Sequence, residues 1–110
     1  MIKCSLGRLP ITLTSHGVGE KRVLLNNSDT QTHITQIAIT TLNRGEVADL
    51  HAHPTMEEYF IIRKGGAEII VDSEVFVCEL DDFIQIPPHS PHQLKAVTDL
   101  EILTIGCATE

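Results

Sequence analysis

Ile34-Thr35-Gln36-Ile37-Ala38-Ile39-Thr40-Thr41-Leu42, closed by Asn43-Arg44-Gly45 and resumed at Val47-Ala48-Asp49-Leu50-His51-Ala52-His53, is the stretch that decides the fold. Six of its first nine residues are β-branched, which stiffens χ1 against a helix and suits a pleated surface. The Asn-Arg-Gly that follows is a turn signal. The same unit, a short β-branched or aromatic run bounded by Gly, Asn, Ser, Asp or Pro, recurs at 11–14, 22–25, 59–63, 67–71, 75–79, 83–86, 93–97 and 100–105. Helical periodicity is missing throughout. About ten short strands at close spacing predict an all-β sandwich or barrel, and 110 residues suit a single domain, 1–110, with one core.

Within that pattern His51 and His53 stand two residues apart, the spacing that places two side chains on one face of a strand. Neutral imidazole is a common ligand for transition metals, and a nearby carboxylate lowers the net charge of a bound divalent ion. Glu58 offers that carboxylate, and His92, in a second short cluster, a third imidazole. Glu57 competes with Glu58, but neighbours on a strand face opposite ways, and Glu58 shares its parity with apolar Phe60 and Ile62. Because a small barrel has an interior that can hold one ligand, a His-x-His strand facing inward would set a metal in its mouth or lumen.

The spacing Gly45-x5-His51-x-His53-x4-Glu58-x6-Gly65 resembles the first conserved motif of the cupin superfamily, and Asp81-x5-Pro87-x-His89-x2-His92 resembles the second. Asp81 and His89 stand where the family usually has glycine, and Ala96 where it often has asparagine. The residues between the motifs, 66–80, make a spacer like that of small microbial cupins, and the resemblance runs from about Thr40 to Ile105. It implies a double-stranded β-helix, or jelly-roll, with a divalent metal held by His51, His53, Glu58 and His92 and with pairing of two copies through their sheets. A homodimer is also expected because 34–42 and 100–105 are apolar on both faces, and a small sandwich has only one interior.

Other polar residues fall around this frame. Gln36 and Gln85 interrupt apolar strands and must face water or find partners; with Phe60, Ile62 and His89 they are the candidate walls of a substrate pocket. Gln85 alternates with Ile84 and Ile86, so only one of these sets can face the interior. His16 in Ser15-His16-Gly17-Val18-Gly19 and His33 are expected at turns or the surface, and Arg22 and Arg44 at the surface. Tyr59, opposite in parity to Glu58, is expected to pack.

A net charge of −7 with eight scattered Lys and Arg argues against a nucleic-acid partner, which needs a concentrated basic patch. No run of eighteen apolar residues and no signal-like N-terminus is present, so a cytoplasmic protein without a membrane partner is expected. Cys4, Cys78 and Cys107, far apart and odd in number, read as buried reduced thiols. Function is then expected from a divalent transition metal, Fe, Mn, Ni or Zn, acting on a small chelating molecule. The leading expectation is an Fe(II)- or Mn(II)-dependent oxygenase or oxidase, with Glu58 able to loosen and act as a base. The alternatives are a metal-assisted isomerase, epimerase or lyase of sugar-like or keto-acid substrates, and a non-catalytic binding module. Because only neutral imidazole binds metal, affinity should fall as pH drops through about 6.5.

Overall fold

Each of the ten expected strands forms in the computed structural model, which describes all residues from Met1 to Glu110. In chain order they are β1 (Thr12–Leu13), β2 (Glu20–Asn26), β3 (Ile34–Leu42), β4 (Val47–His51), β5 (Met56–Lys64), β6 (Ala67–Val71), β7 (Glu74–Cys78), β8 (Phe83–Ile86), β9 (His92–Ala96) and β10 (Leu100–Ala108). They divide into a six-stranded sheet, β1-β2-β3-β10-β5-β8, and a four-stranded sheet, β4-β9-β6-β7, both antiparallel. The chain crosses between sheets after β3, β4, β5, β7, β8 and β9, the wrapping of a jelly-roll. The two single-turn 3-10 segments, Leu6–Arg8 and Asn27–Asp29, carried no signal in the strand pattern.

Three adjacent strands of the larger sheet explain why the sandwich is solid at one end and hollow at the other. In register across β3, β10 and β5, the inward rows read Thr40, Ile102, Ile62, then Ala38, Thr104, Phe60, then Gln36, Gly106, Glu58. Ile62 and Ile102 are buried against Ile69 and Leu94 of the smaller sheet and form one continuous core with Leu42, Ile86 and Leu100. Toward the other end, side chains become small or polar. Gly106 has no side chain at all, and a Cβ there would come within 2.3 Å of Thr35 Oγ1 and 2.7 Å of Met56 Sδ. The sheets therefore close on apolar contact at one end and leave a cavity at the other.

Turn chemistry fixes this arrangement. Gly65, between β5 and β6, has φ +73°, and a Cβ would stand 2.1 Å from the Asp99 carbonyl oxygen, so no other residue fits. Asp72 and Ser73, with φ of 50° and 68°, form the tight β6–β7 hairpin that two left-handed residues make. Asp81 and His89, found where glycine is usual, also have positive φ, 70° and 68°. The expectation of three buried thiols holds only in part. Cys78 is buried and Cys107 half-buried, but Cys4 is exposed, because the segment before β1 contributes nothing to the core. No helix is long and apolar enough to cross a membrane.

Candidate metal centre

His51 reaches the cavity through an irregularity in β4. Val47 and Ala48 pair with Lys95 and Leu94 of β9, but His51 pairs with His92, so β4 spends three residues where β9 spends two. That extra residue is a β-bulge. Simple alternation from the buried Ala48 would turn Leu50 inward; instead Leu50 is 61% exposed and His51 takes the inward place. His53 is not on the strand, as its spacing with His51 suggested, but beyond its end, where its carbonyl accepts the His89 N–H at 2.9 Å. Glu58 comes from the opposite sheet, on the inward face of β5 between Gly106 and Ile86.

These four side chains converge. One donor atom from each of His51, His53, Glu58 and His92 lies within 4.8 Å of every other, and the ring centroids of His51 and His92 are 4.1 Å apart. His51 Nδ1 lies 2.7 Å from the Asp49 carbonyl and His92 Nδ1 2.9 Å from the Ser90 carbonyl. A carbonyl only accepts, so each Nδ1 donates and each Nε2 keeps its lone pair for the centre. Glu58 Oε1 is 3.0 Å from His53 Nε2 and 3.2 Å from His92 Nε2. The approach is close but misaligned: Glu58 Oε1 and His92 Nε2 are buried with no partner in hydrogen-bonding geometry. Buried polar atoms are seldom left so, and a donor set aimed at a common point is what a divalent ion would satisfy.

Charge reinforces the convergence. Burial alone would raise the pKa of Glu58, yet His92, His53 and His51 around it hold its carboxyl below the usual range. Burial would lower that of His92, but Glu58, the Ser90 carbonyl and Asp72 outweigh it and the pKa rises. For His51 burial wins over the Asp49 carbonyl, with neighbouring imidazoles adding to it, and the neutral form is favoured. Glu57 behaves differently. On the outer face of β5 it accepts hydrogen bonds from Tyr59 Oη at 2.6 Å and Gln85 Nε2 at 2.7 Å, far from the imidazoles.

The cavity beside this group is about 360 Å³. Its apolar walls include Leu42, Phe60, Leu94 and Ile102, and its polar ones Lys21, Gln36, Thr40 and Thr104. Of the expected pocket residues, Gln36 and Phe60 line it. Ile62 does not: it is enclosed in the apolar core and is 1% exposed. Gln85 is on the outer face, held by Glu57, because Ile84 and Ile86 take the inward parity. His89 sits exposed in the turn before His92 and does not reach the cavity. His33 is exposed.

His16 lies in a turn and outside the group of four, as expected, but its imidazole also faces the cavity. Thr14 Oγ1 donates to the Val18 carbonyl and accepts from the His16 N–H at 3.3 Å, closing a loop that lays the imidazole on the cavity, 4.3 Å from the His51 ring. Burial, the largest influence on it, favours its neutral form. Lys21, on β2, is the other residue that sequence patterning passed over. Neither has a spacing relation to the histidine clusters, so only the path of the chain across the sheet brings them there.

The sequence model of the family described as "Cupin domain" matches residues 38–106. An uncharacterized protein of Methanocaldococcus jannaschii is 32% identical over 59 residues, 54% of this chain; the matched part spans 47% of that protein, about half its length. The crystal structure of a predicted oxalate decarboxylase from Thermotoga maritima superposes with a TM-score of 0.89 at 18% identity, covering 97% of this chain and 99% of that one. Ectoine synthase from P. lautus superposes with a TM-score of 0.84 at 19% identity, covering 97% and 78%. At such identities the two structures speak to the fold alone.

Proposed function

This chain belongs to the cupin domain family, and from that premise we propose that it binds one divalent transition metal through His51, His53, Glu58 and His92 and acts on a small chelating molecule. The observation that carries the reading is the meeting of four donor atoms within 4.8 Å, two of them buried without a hydrogen-bond partner. Fe, Mn, Ni and Zn all accept this donor set. Once bound, such an ion supplies Lewis acidity and, if it is Fe(II) or Mn(II), redox chemistry with dioxygen, with coordination positions left open for substrate.

The chain's own residues do the rest. The Asp49 and Ser90 carbonyls fix the tautomers of His51 and His92. Leu42, Phe60 and Ile102 keep water from one side of the cavity. Glu58, held ionised by the imidazoles around it, can accept a substrate proton when it swings from the centre. An Fe(II)- or Mn(II)-dependent oxygenase or oxidase is the leading reading. A metal-assisted isomerase or lyase is the second, and His16 favours it. That imidazole lies in the cavity outside the group of four and is free to move a proton. Catechols, diketones and 2-hydroxy acids separate the two: oxygen uptake by Fe(II)-loaded protein supports the first, and exchange of a substrate C–H with deuterated water without oxygen uptake supports the second. Tight binding with neither would make the protein a binding module.

The metal reading itself is tested by elemental analysis of untagged protein. We expect one divalent ion per chain, and nearly none in His92→Ala at neutral pH; full occupancy of that variant would remove His92 from the ligand set. For the assembly, the proposal is a homodimer through the outer face of the six-stranded sheet, where Ile37, Leu103 and Ile105 are half-buried and Ile61 and Phe83 exposed. A reducing setting such as the cytoplasm suits its three free thiols.

A further inference from the structure

One cation in the cavity has no counter-charge. Lys21 pairs in register with Thr40, but its side chain runs along the cavity wall to place Nζ 3.0 Å from Gln36 Oε1. The Gln36 amide is turned that way because its Nε2 donates to Asn26 Oδ1 at 3.0 Å. The amide oxygen orients the ammonium without neutralising it. The salt bridges of the protein join Arg63 to Glu101, and His53 and His92 to Glu58; none includes Lys21. The chain has fifteen Asp and Glu against eight Lys and Arg, yet the only carboxylate among the residues lining the cavity is Glu58.

Gln36, Gly106 and Glu58 occupy one inward row, so the strand bearing the lysine's anchor and the strand bearing Glu58 are two strand spacings apart, about 9–10 Å. The residue between them is glycine, and the Thr35 and Met56 side chains lie over it as part of the wall of the cavity that Lys21 and Glu58 share. A divalent ion held by three neutral imidazoles and Glu58 would carry one net positive charge, and Lys21 adds a second. In a partly apolar cavity of about 360 Å³, near the small end for ligand sites, such a pair of positive poles is best answered by a short dianion.

Resting on the metal reading above, we propose that Lys21, positioned by Gln36, is the carboxylate-binding residue of the cavity. The substrate class is a small dicarboxylic acid, one end chelating the metal through carboxylate and an adjacent oxygen, the other end on Lys21. The test uses full-length protein loaded with Co(II), whose visible bands report both metal uptake and ligand binding at the ion. Two probes share a chelating end and differ at the other: 2-hydroxysuccinate carries a second carboxylate where 2-hydroxybutanoate carries a methyl group. Wild type should bind 2-hydroxysuccinate about ten- to a hundredfold more tightly, as expected for a charge-assisted contact. Lys21→Met should lose that preference while keeping Co(II) affinity and affinity for 2-hydroxybutanoate; Lys21→Arg should retain part of it.

Equal affinity of wild type for the two probes overturns the inference whatever the variants do, and so does an undiminished preference in Lys21→Met. Failure of wild type to take up Co(II) is a separate result, which overturns the metal reading and this inference with it.

Discussion

Two neighbouring carboxylates on β5 meet opposite fates. Glu58 faces inward to three imidazoles and a cavity; Glu57 faces outward to a tyrosine and a glutamine. Both have pKa values below the ordinary range, but from different causes. Glu58 is held down by the positive character of the histidines against the opposing effect of burial, whereas Glu57 is held down by hydrogen bonds from Tyr59 and Gln85 at the surface. Residue type did not choose between them. The pleat did, since β5 buries Phe60 and Ile62 and so turns Glu58 to their side.

The comparison breaks most visibly in metal affinity. Glu58→Ala should weaken divalent-metal binding by more than about a hundredfold, exceeding the effect expected when only an outer partner of a ligand is lost. Glu57→Ala should leave it within about twofold. Competitive metal titration of both variants checks this, and an equal loss in the two would show that parity does not separate their roles.

Stability should divide along the same faces. Phe60, 7% exposed, packs between the sheets, and Phe60→Ala should cost about 3 kcal/mol in urea unfolding. Ile61, 38% exposed on the outer face, should cost about 1 kcal/mol or less as Ile61→Ala in the monomer. A larger loss at Ile61 that depends on protein concentration would identify that face as the contact between copies.

pH sharpens the inner side. In metal-free protein the raised pKa of His92 contributes stability that is full below the ordinary value of 6.5 and is lost as pH rises through its higher folded value. The lowered pKa of Glu58 contributes stability present above its ordinary 4.5 and lost as pH falls through its lower folded value. The pair therefore adds most between these ordinary values, and the stability difference between wild type and Glu58→Gln should peak there. Metal-loaded protein should differ, losing stability toward acid as protons displace the ion. A flat difference across this range would mean that the two groups are not coupled.

The smallest effect belongs to the outer face. Tyr59, the only tyrosine of the chain, has its pKa raised by the Glu57 carboxylate beside it. Spectroscopic titration of tyrosinate should show a fall toward the ordinary value in Glu57→Gln and no change in Glu58→Gln.

How much of this the sequence carried depended on whether a rule was local. Strands were legible because each has its own β-branched run and its own turn residues, and Glu58 faces inward as its parity with Phe60 and Ile62 implied. His51 and His53 do face the same interior, as expected, but by other means than strand alternation: a bulge turns His51 inward, and His53 lies past the strand's end. Parity could not decide Gln85 until Ile86 was seen to be buried. Beyond parity, His16 and Lys21 enter the cavity by the path of a loop and of the second strand of the larger sheet. No spacing along the chain encodes that, because it follows from how the sheets cross.

Anomalous diffraction from crystals of the untagged protein equilibrated with Mn(II) at neutral pH tests the central claim most directly. A single peak per chain within coordinating distance of His51, His53, Glu58 and His92 is the predicted result. Strong scattering elsewhere with none among those four side chains, or no bound ion at all, would contradict it.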